Sequence, residues 1–390
     1  MLLSADFETD PLAAAWSAEA SEGQPAPAWI GAGGHSGTHC LLATAGTWQS
    51  PAFPVTPFEY YRLEFWSRAE GTEYFAAFFY DEQGQTLEAD HYSSVDPSTN
   101  WKLQTLCFRA KARAATARIL FQPLKGKPFY VDDVSVRLVT RAEATAWADE
   151  VYAQIPPVPP GGTGVSLALP RTFARLQRAG TLRVVMLGDS IINDTGSSPW
   201  DLLVERTYPG ARVEVVTSVG GGKGCWYYQE DNRVQSYVLD YRPDLLIIGG
   251  LSQRGDLEAI REVIHQVRAH AQPEILLMSG IFGKGEDPRE RSAASLPPEN
   301  GHSLAYRRGL RRLAEEEGVA LYDLSAAWAQ YMRGIGTPYD YFMRDAVHAN
   351  ERGRALAARL IAGYFAPEQP CGEGGDKDSG AVFPQRKNRT

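Results

Sequence analysis

Apolar runs are short in this chain. Runs such as "LLII" at 245–248 fall far below the roughly 20 residues that a membrane-crossing helix needs. A bilayer-spanning protein is therefore not expected. Basic clusters are missing as well. With 39 Lys and Arg against 47 Asp and Glu, the formal net charge is -8, which repels phosphate backbones and anionic membrane surfaces. Neither nucleic acid nor membrane is an expected partner. Cysteine is scarce: Cys40, Cys107, Cys225 and Cys371 show no CxxC or metal-finger spacing. They read as buried thiols, with a Cys40–Cys107 bridge as the minor alternative because both fall in predicted strands of one domain. The opening "MLLSADFETD" has no basic segment ahead of an apolar core, so no signal peptide is visible and localisation stays open.

What is present is a soluble-type composition, 44% hydrophobic and 22% charged over 390 residues, long enough for two or three domains. Residues 1–140 carry short alternating segments between turn signals, among them "YYRLEFWSRA", "EYFAAFFYDEQG", "WKLQTLCFRA", "TARILFQPLKG" and "FYVDDVSVRLV". This pattern predicts half-buried strands and an all-β sandwich, with "DEQG" at 81–84 as a hairpin-type turn. Residues 141–170 read as one helix followed by a linker, "PPVPPGGTG" at 156–164, where clustered Pro and Gly hold neither helix nor central strand.

The period then changes. Over 171–366 continuous apolar strands ("LRVVMLG", "ARVEVVTSV", "PDLLIIGGL", "PEILLMSGIF", "VALYDL") alternate with amphipathic helices such as "DLEAIREVIHQVRAHA" and "NERGRALAARLIAGYF". Strands apolar on both faces, alternating with helices, predict an α/β domain whose parallel sheet is covered on both sides. Ligands gather at the carboxyl ends of such strands. The tail 367–390 is polar and turn-rich, and little structure is expected of it.

Ser190, in "RVVMLGDSIIND", sits just past one of those strand ends. A serine hydroxyl is hardly ionised at neutral pH, so it becomes a nucleophile only beside a base that a third group orients. Seven histidines are available. His348, in "RDAVHANERG", follows a predicted loop and precedes the last helix. Asp345 lies three residues before it, placed to accept the second ring N–H, and Asn350 suits the helix N-cap.

"GDS" after the first strand and "DxxH" before the last helix resemble the first and last sequence blocks of the SGNH, or GDSL-type, hydrolases. The resemblance covers about residues 171–366. It implies a flavodoxin-like three-layer α/β/α fold and serine esterase chemistry, with Ser190 as nucleophile, His348 as general base then acid, and Asp345 as orienter. It also implies an oxyanion hole from the Ser190 N–H, a glycine N–H after the second strand and an asparagine amide after the third. In "SVGGGKGCWYY" a Gly-x-x-Gly register selects Gly221 and Gly224, with Gly221 as donor and Gly220 as the alternative. The third block departs from Gly-x-Asn-Asp. Counting from Pro243-Asp244 in "PDLLIIGGLSQRGD" puts Gln253 at the amide's place, with Ser252 as the other polar candidate; the donor is otherwise missing.

"DFETD", "GGHSGTHCLL" and "FYVDDVSVRLV" in the first half resemble the galactose-binding-like jelly rolls of carbohydrate-binding modules. That resemblance implies a structural calcium, for which Glu8 and Asp133 offer hard oxygen ligands, and stacking aromatics for sugar, with Trp29, Trp48, Trp66, Tyr80 and Tyr92 available. Together the two resemblances imply removal of acyl groups, acetyl first among them, from carbohydrate without a catalytic cofactor. Such an activity favours a secreted or periplasmic location. The same triad serves an acyltransferase, and the altered third block leaves open a carbohydrate-binding or scaffold protein with weakened catalysis.

Overall fold

The computed structural model describes residues 1–367, except 21, 22, 24, 25, 125, 126 and 159–167. Most of the predicted Pro/Gly linker and all but residue 367 of the predicted tail lie outside the described residues.

Two antiparallel sheets form the first half. One is built on the long strands Tyr60–Ala69, Ser98–Arg109 and Phe129–Val139; the other on Glu73–Tyr80 and Thr116–Gln122, with His91–Val95 at its edge. Alternation decides the facing. In Tyr60–Ala69 the buried residues Leu63, Phe65 and Ala69 point into a core shared with Phe75, Phe79 and Phe121 of the other sheet. Phe65 meets Phe75 and Phe121 edge-on at 4.9 and 5.0 Å, a geometry that the ring quadrupoles favour. The expected hairpin turn forms at Asp81–Gly84: Gly84 N–H donates to Asp81 C=O at 3.0 Å, and Gly84 takes φ 75°.

The helix Arg141–Tyr152 begins with a reciprocal cap between Thr140 and Glu143. Its buried face, with Ala144, Trp147, Ala148 and Val151, joins the sandwich core together with Leu202 and Ala355 from the second half. Five parallel strands follow: Thr181–Gly188, Arg212–Val219, Leu245–Ile248, Glu274–Met278 and Ala320–Tyr322. Numbered one to five along the chain, their spatial order is 2-1-3-4-5. Helices cover both faces, giving one apolar core around Met186, Ile247 and Trp328 and a second around Val185, Leu246 and Ile264. The order reverses between strands one and three, which opens a crevice at their carboxyl ends.

Cys40, Cys107 and Cys225 are buried free thiols, so the alternative of a Cys40–Cys107 bridge is not realised. Burial pushes the Cys107 thiol up to about 12. No helix among the described residues is long and apolar enough to cross a membrane.

Candidate active site

Strand one ends where its backbone meets strand three. A Cβ on Gly188 would lie 2.5 Å from the Gly249 carbonyl oxygen, so only glycine fits this crossing. Asp189 then caps the helix Ser190–Ser197, its Oδ1 accepting from Ile191 N–H at 3.0 Å and Ile192 N–H at 3.4 Å. Its Oδ2 accepts Leu251 and Ser252 N–H at 2.7 and 2.6 Å. One carboxylate thus ties the serine turn to the loop after strand three. Ser190 becomes the first helical residue, and the positive end of the helix dipole falls beside it.

The last helix, Glu351–Tyr364, is capped by Asn350, whose Oδ1 accepts Arg352 and Gly353 N–H at 3.0 and 3.1 Å. Its amide donates back to the Tyr341 and Met343 carbonyls at 2.9 and 3.3 Å. The loop before it is therefore fixed. His348 Nδ1 lies 2.9 Å from both Asp345 oxygens, and His348 Nε2 lies 2.9 Å from Ser190 Oγ. A carboxylate only accepts, so Nδ1 carries the proton and Nε2 is left to accept from the serine hydroxyl. Burial opposes ionisation of Asp345, but hydrogen bonds from the His348 ring and the Val347 and His348 N–H groups outweigh it and hold the carboxyl well below the usual range.

The backbone N–H groups of Ser190 and Gly221 have no acceptor among the described residues, and both residues line one cavity of about 380 Å³ with His348 and Asp345. Gly220 is committed elsewhere, its N–H donating to Gly188 C=O at 3.2 Å. Gly222, at φ 67°, lets the loop turn so that Lys223 N–H reaches Gly220 C=O at 3.0 Å. An added Cβ on Gly221 would meet nothing within 4 Å, so this residue faces open space.

No known protein family matches the chain, and no curated protein matches it. Solved structures do. A two-domain esterase active on acetylated mannans, co-crystallized with mannopentaose, aligns over 57% of this chain and 58% of its own at 18% identity, with a TM-score of 0.41. Axe2, an acetylxylan esterase from Geobacillus stearothermophilus, aligns over 47% of this chain and 94% of its own at 17% identity and a TM-score of 0.39. The CBM22-1 xylan-binding domain of Paenibacillus barcinonensis Xyn10C aligns over 36% of this chain and 94% of its own at 15% identity and a TM-score of 0.29. The chain thus spans little more than half the length of the mannan esterase.

Two expectations from the sequence fare differently. Gln253 does not face the cavity. It is 1% exposed, donates Nε2 to Gly249 C=O at 2.8 Å and accepts Cys225 N–H through Oε1 at 2.9 Å. Its amide braces two loops, so the oxyanion role assigned by counting is corrected. Ser252 spends its backbone on Asp189 and on Trp226 Nε1–H, at 2.6 and 2.8 Å. Glu8 and Asp133 are both taken up by hydrogen bonds. They grip opposite ends of the 35–39 loop: Glu8 accepts Thr38 and His39 N–H at 2.9 and 2.7 Å, and Asp133 takes Ser36 Oγ–H at 2.5 Å and the His35 ring at 2.6 Å. Among the described residues no group of three or more His, Cys, Asp or Glu side chains could hold a metal ion.

The sequence reading missed one wall of the cavity altogether. Tyr74, Glu88, Asp90, Tyr92, Gln122 and Leu124 all come from the sandwich. Tyr74 donates its hydroxyl to Asp345 Oδ2 at 3.4 Å; burial first, then the Asp345 charge, pushes this phenol up to about 12. Arg344 donates to Tyr92 C=O at 2.7 Å and lies 3.5 Å from Asp194. Of the marked aromatics Tyr92 alone lines this cavity. Trp48 is core, Trp29 stacks on His39 at 4.6 Å and Trp66 on His35 at 3.7 Å. Arg344, next to Asp345 in "RDAVH", could have been suspected. Tyr74, 271 residues from its partner, left no local signal.

Proposed function

We propose that this chain is a serine ester hydrolase of the SGNH type, with a jelly-roll sandwich ahead of its catalytic domain, that removes acyl groups, acetyl first among them, from a carbohydrate. The observation that carries the reading is the unbroken relay from Asp345 through His348 Nδ1 and Nε2 to Ser190 Oγ, each step 2.9 Å.

In this reaction Ser190 Oγ attacks the ester carbonyl as His348 Nε2 takes its proton, and Asp345 stabilises the imidazolium that forms. Negative charge develops on the carbonyl oxygen. The Ser190 N–H at the helix start and the Gly221 N–H in the loop after strand two, neither with an acceptor among the described residues, receive it. His348 returns the proton to the departing sugar oxygen, leaving an acyl-serine. Water, deprotonated by the same imidazole, then releases the acid. Every proton transfer is handled by these groups. A carbohydrate leaving group suits the sandwich wall, where carboxylates, phenols and an amide border the cavity.

Turnover of p-nitrophenyl acetate and of an acetylated oligosaccharide by wild type and Ser190→Ala tests the proposal. Loss of at least about 1,000-fold in kcat is expected. Equal turnover by both proteins would refute it.

A further inference from the structure

We propose that the seam between the two domains is a second sugar site, so that the substrate is an acylated oligosaccharide or polysaccharide, not a single sugar or a lipid ester. This inference rests on the esterase reading above. The catalytic cavity adjoins a second one of about 320 Å³, and the two share Glu88 and Val219 in their walls. Each has the size of a small-ligand site. A chain with its ester over Ser190 therefore has a continuation along the seam past Glu88.

The chemistry of that continuation selects the occupant. The seam cavity is lined by Thr86, Ser236, Tyr237 and Tyr241 among others, and Arg113, also in its wall, lies 4.3 Å over the Tyr241 ring. At the join, Glu88 Oε2 accepts the Tyr237 hydroxyl at 2.8 Å, and Glu88 makes no ion pair among the described residues. The other carboxylates of the catalytic cavity are engaged: Asp194 by Arg344 and Arg354, Asp345 by His348, and Asp90 by the Asn193 amide at 2.7 Å. Glu88 thus keeps acceptor capacity for a ring hydroxyl where two sugar units would meet. An alkyl chain in the same place would strand these polar groups without partners.

The test compares kcat/KM for singly acetylated mono-, di- and trisaccharides, with p-nitrophenyl acetate, butyrate and octanoate in parallel. Wild type should gain about tenfold or more from mono- to disaccharide, the change that about 1.4 kcal/mol of added transition-state binding produces. Ser236→Trp places a bulky ring in the seam from an exposed position, and it should bring the di-to-mono ratio close to one. A flat series in wild type, with aryl-ester turnover still dependent on Ser190, overturns the seam site and leaves the esterase reading standing. So does a rate that climbs with acyl length while the sugar series stays flat, since an alkyl chain is then the occupant. No Ser190-dependent turnover of any ester overturns the esterase reading itself. The wild-type series decides the matter even where Ser236→Trp fails to fold.

Discussion

Replacing Tyr74 by Phe removes the oxygen that donates to Asp345 and leaves the ring under Arg344, whose guanidinium carbon lies 5.9 Å from the ring centre. A hydrogen bond to a charged acceptor contributes about 1.5–3 kcal/mol, but this one, at 3.4 Å, exceeds the usual O–H···O range. A contribution of about 0.5–1 kcal/mol is the better expectation. Two effects follow, and both lower activity on the acid side. Asp345 loses one of its holders, so the imidazole is aimed less well and plateau kcat/KM falls about two- to fivefold. The carboxylate also loses a donor that offset its charge. The acid limb of the profile then moves to higher pH. The assay is kcat/KM for p-nitrophenyl acetate across pH 5–9, with melting temperature as control. A merely structural tyrosine would lower melting and leave the acid limb in place. An unmoved limb with an unchanged plateau refutes the coupling between Tyr74 and Asp345.

Gln253→Ala removes two buried hydrogen bonds and should cost about 1–3 kcal/mol of stability, with kcat falling less than the 100-fold that marks loss of an oxyanion donor; a 100-fold fall at unchanged melting would restore the donor role. Glu73 is fully buried, its Oε1 lacks a partner, and burial pushes its carboxyl up to about 7. Its folded form therefore holds a proton that the unfolded chain releases near pH 4.5, so the cost is absent below that pH, grows between the two values and is complete above about 7. Glu73→Gln should raise stability by about 1–3 kcal/mol at pH 8 and hardly at all at pH 4.5, measured by thermal melting; an equal gain at both would refute the buried charge as its cause. Because hydrogen-bond donors hold Glu8 and Asp133, excess chelator should leave the melting temperature unchanged, and a drop of several degrees would show a stabilising cation.

The legible parts of the sequence were those whose signal is local. Strand Thr181–Gly188 is buried at six of its eight positions, which is why "LRVVMLG" shows no alternation and reads as a parallel strand. Ser190 and the Asp345/His348 pair each announce themselves within a few residues through a turn or a cap. Short edge strands such as Ser17–Ala20 and Ala28–Ile30 escaped, because three or four half-exposed residues carry no period. Leu324–Arg333, led by an Asp323 cap, escaped as a helix because its ten residues hold too few turns for the pattern to stand out. Gln253 misled for a geometric reason. Counting from Pro243 assumes that the chain leaves strand three in the usual way, but Gly250 takes φ 101° and lies so close to Asp189 that a Cβ would fall 2.5 Å from its Oδ1. That turn carries the following residues beneath the loop, away from the cavity.

The sandwich wall was illegible for a different reason, and the seam shows why it can still be positioned well. Its contacts are buried charges and hydrogen bonds as well as apolar packing: Arg109 meets Asp201 at 2.7 Å, Tyr60 donates to Asp201 at 2.6 Å, and Lys111 donates to Ser197 at 2.6 Å. Burial, and then the charge of Arg109, pushes the Lys111 amine down to about 7, while burial pushes the Asp90 carboxyl up. Each group tolerates its place only while its partner stays. Removing one side of a buried pair costs about 3–5 kcal/mol, because the other charge is left uncompensated. Apolar surfaces can slide past one another at little cost, whereas this network has one register. Tyr74 and Glu88 are therefore held at the cavity by a network that begins beyond its lining, in Arg109, Asp201 and Tyr60. The selectivity of the proposed esterase should accordingly depend on seam pairs such as Arg109–Asp201 as much as on the residues lining the cavity.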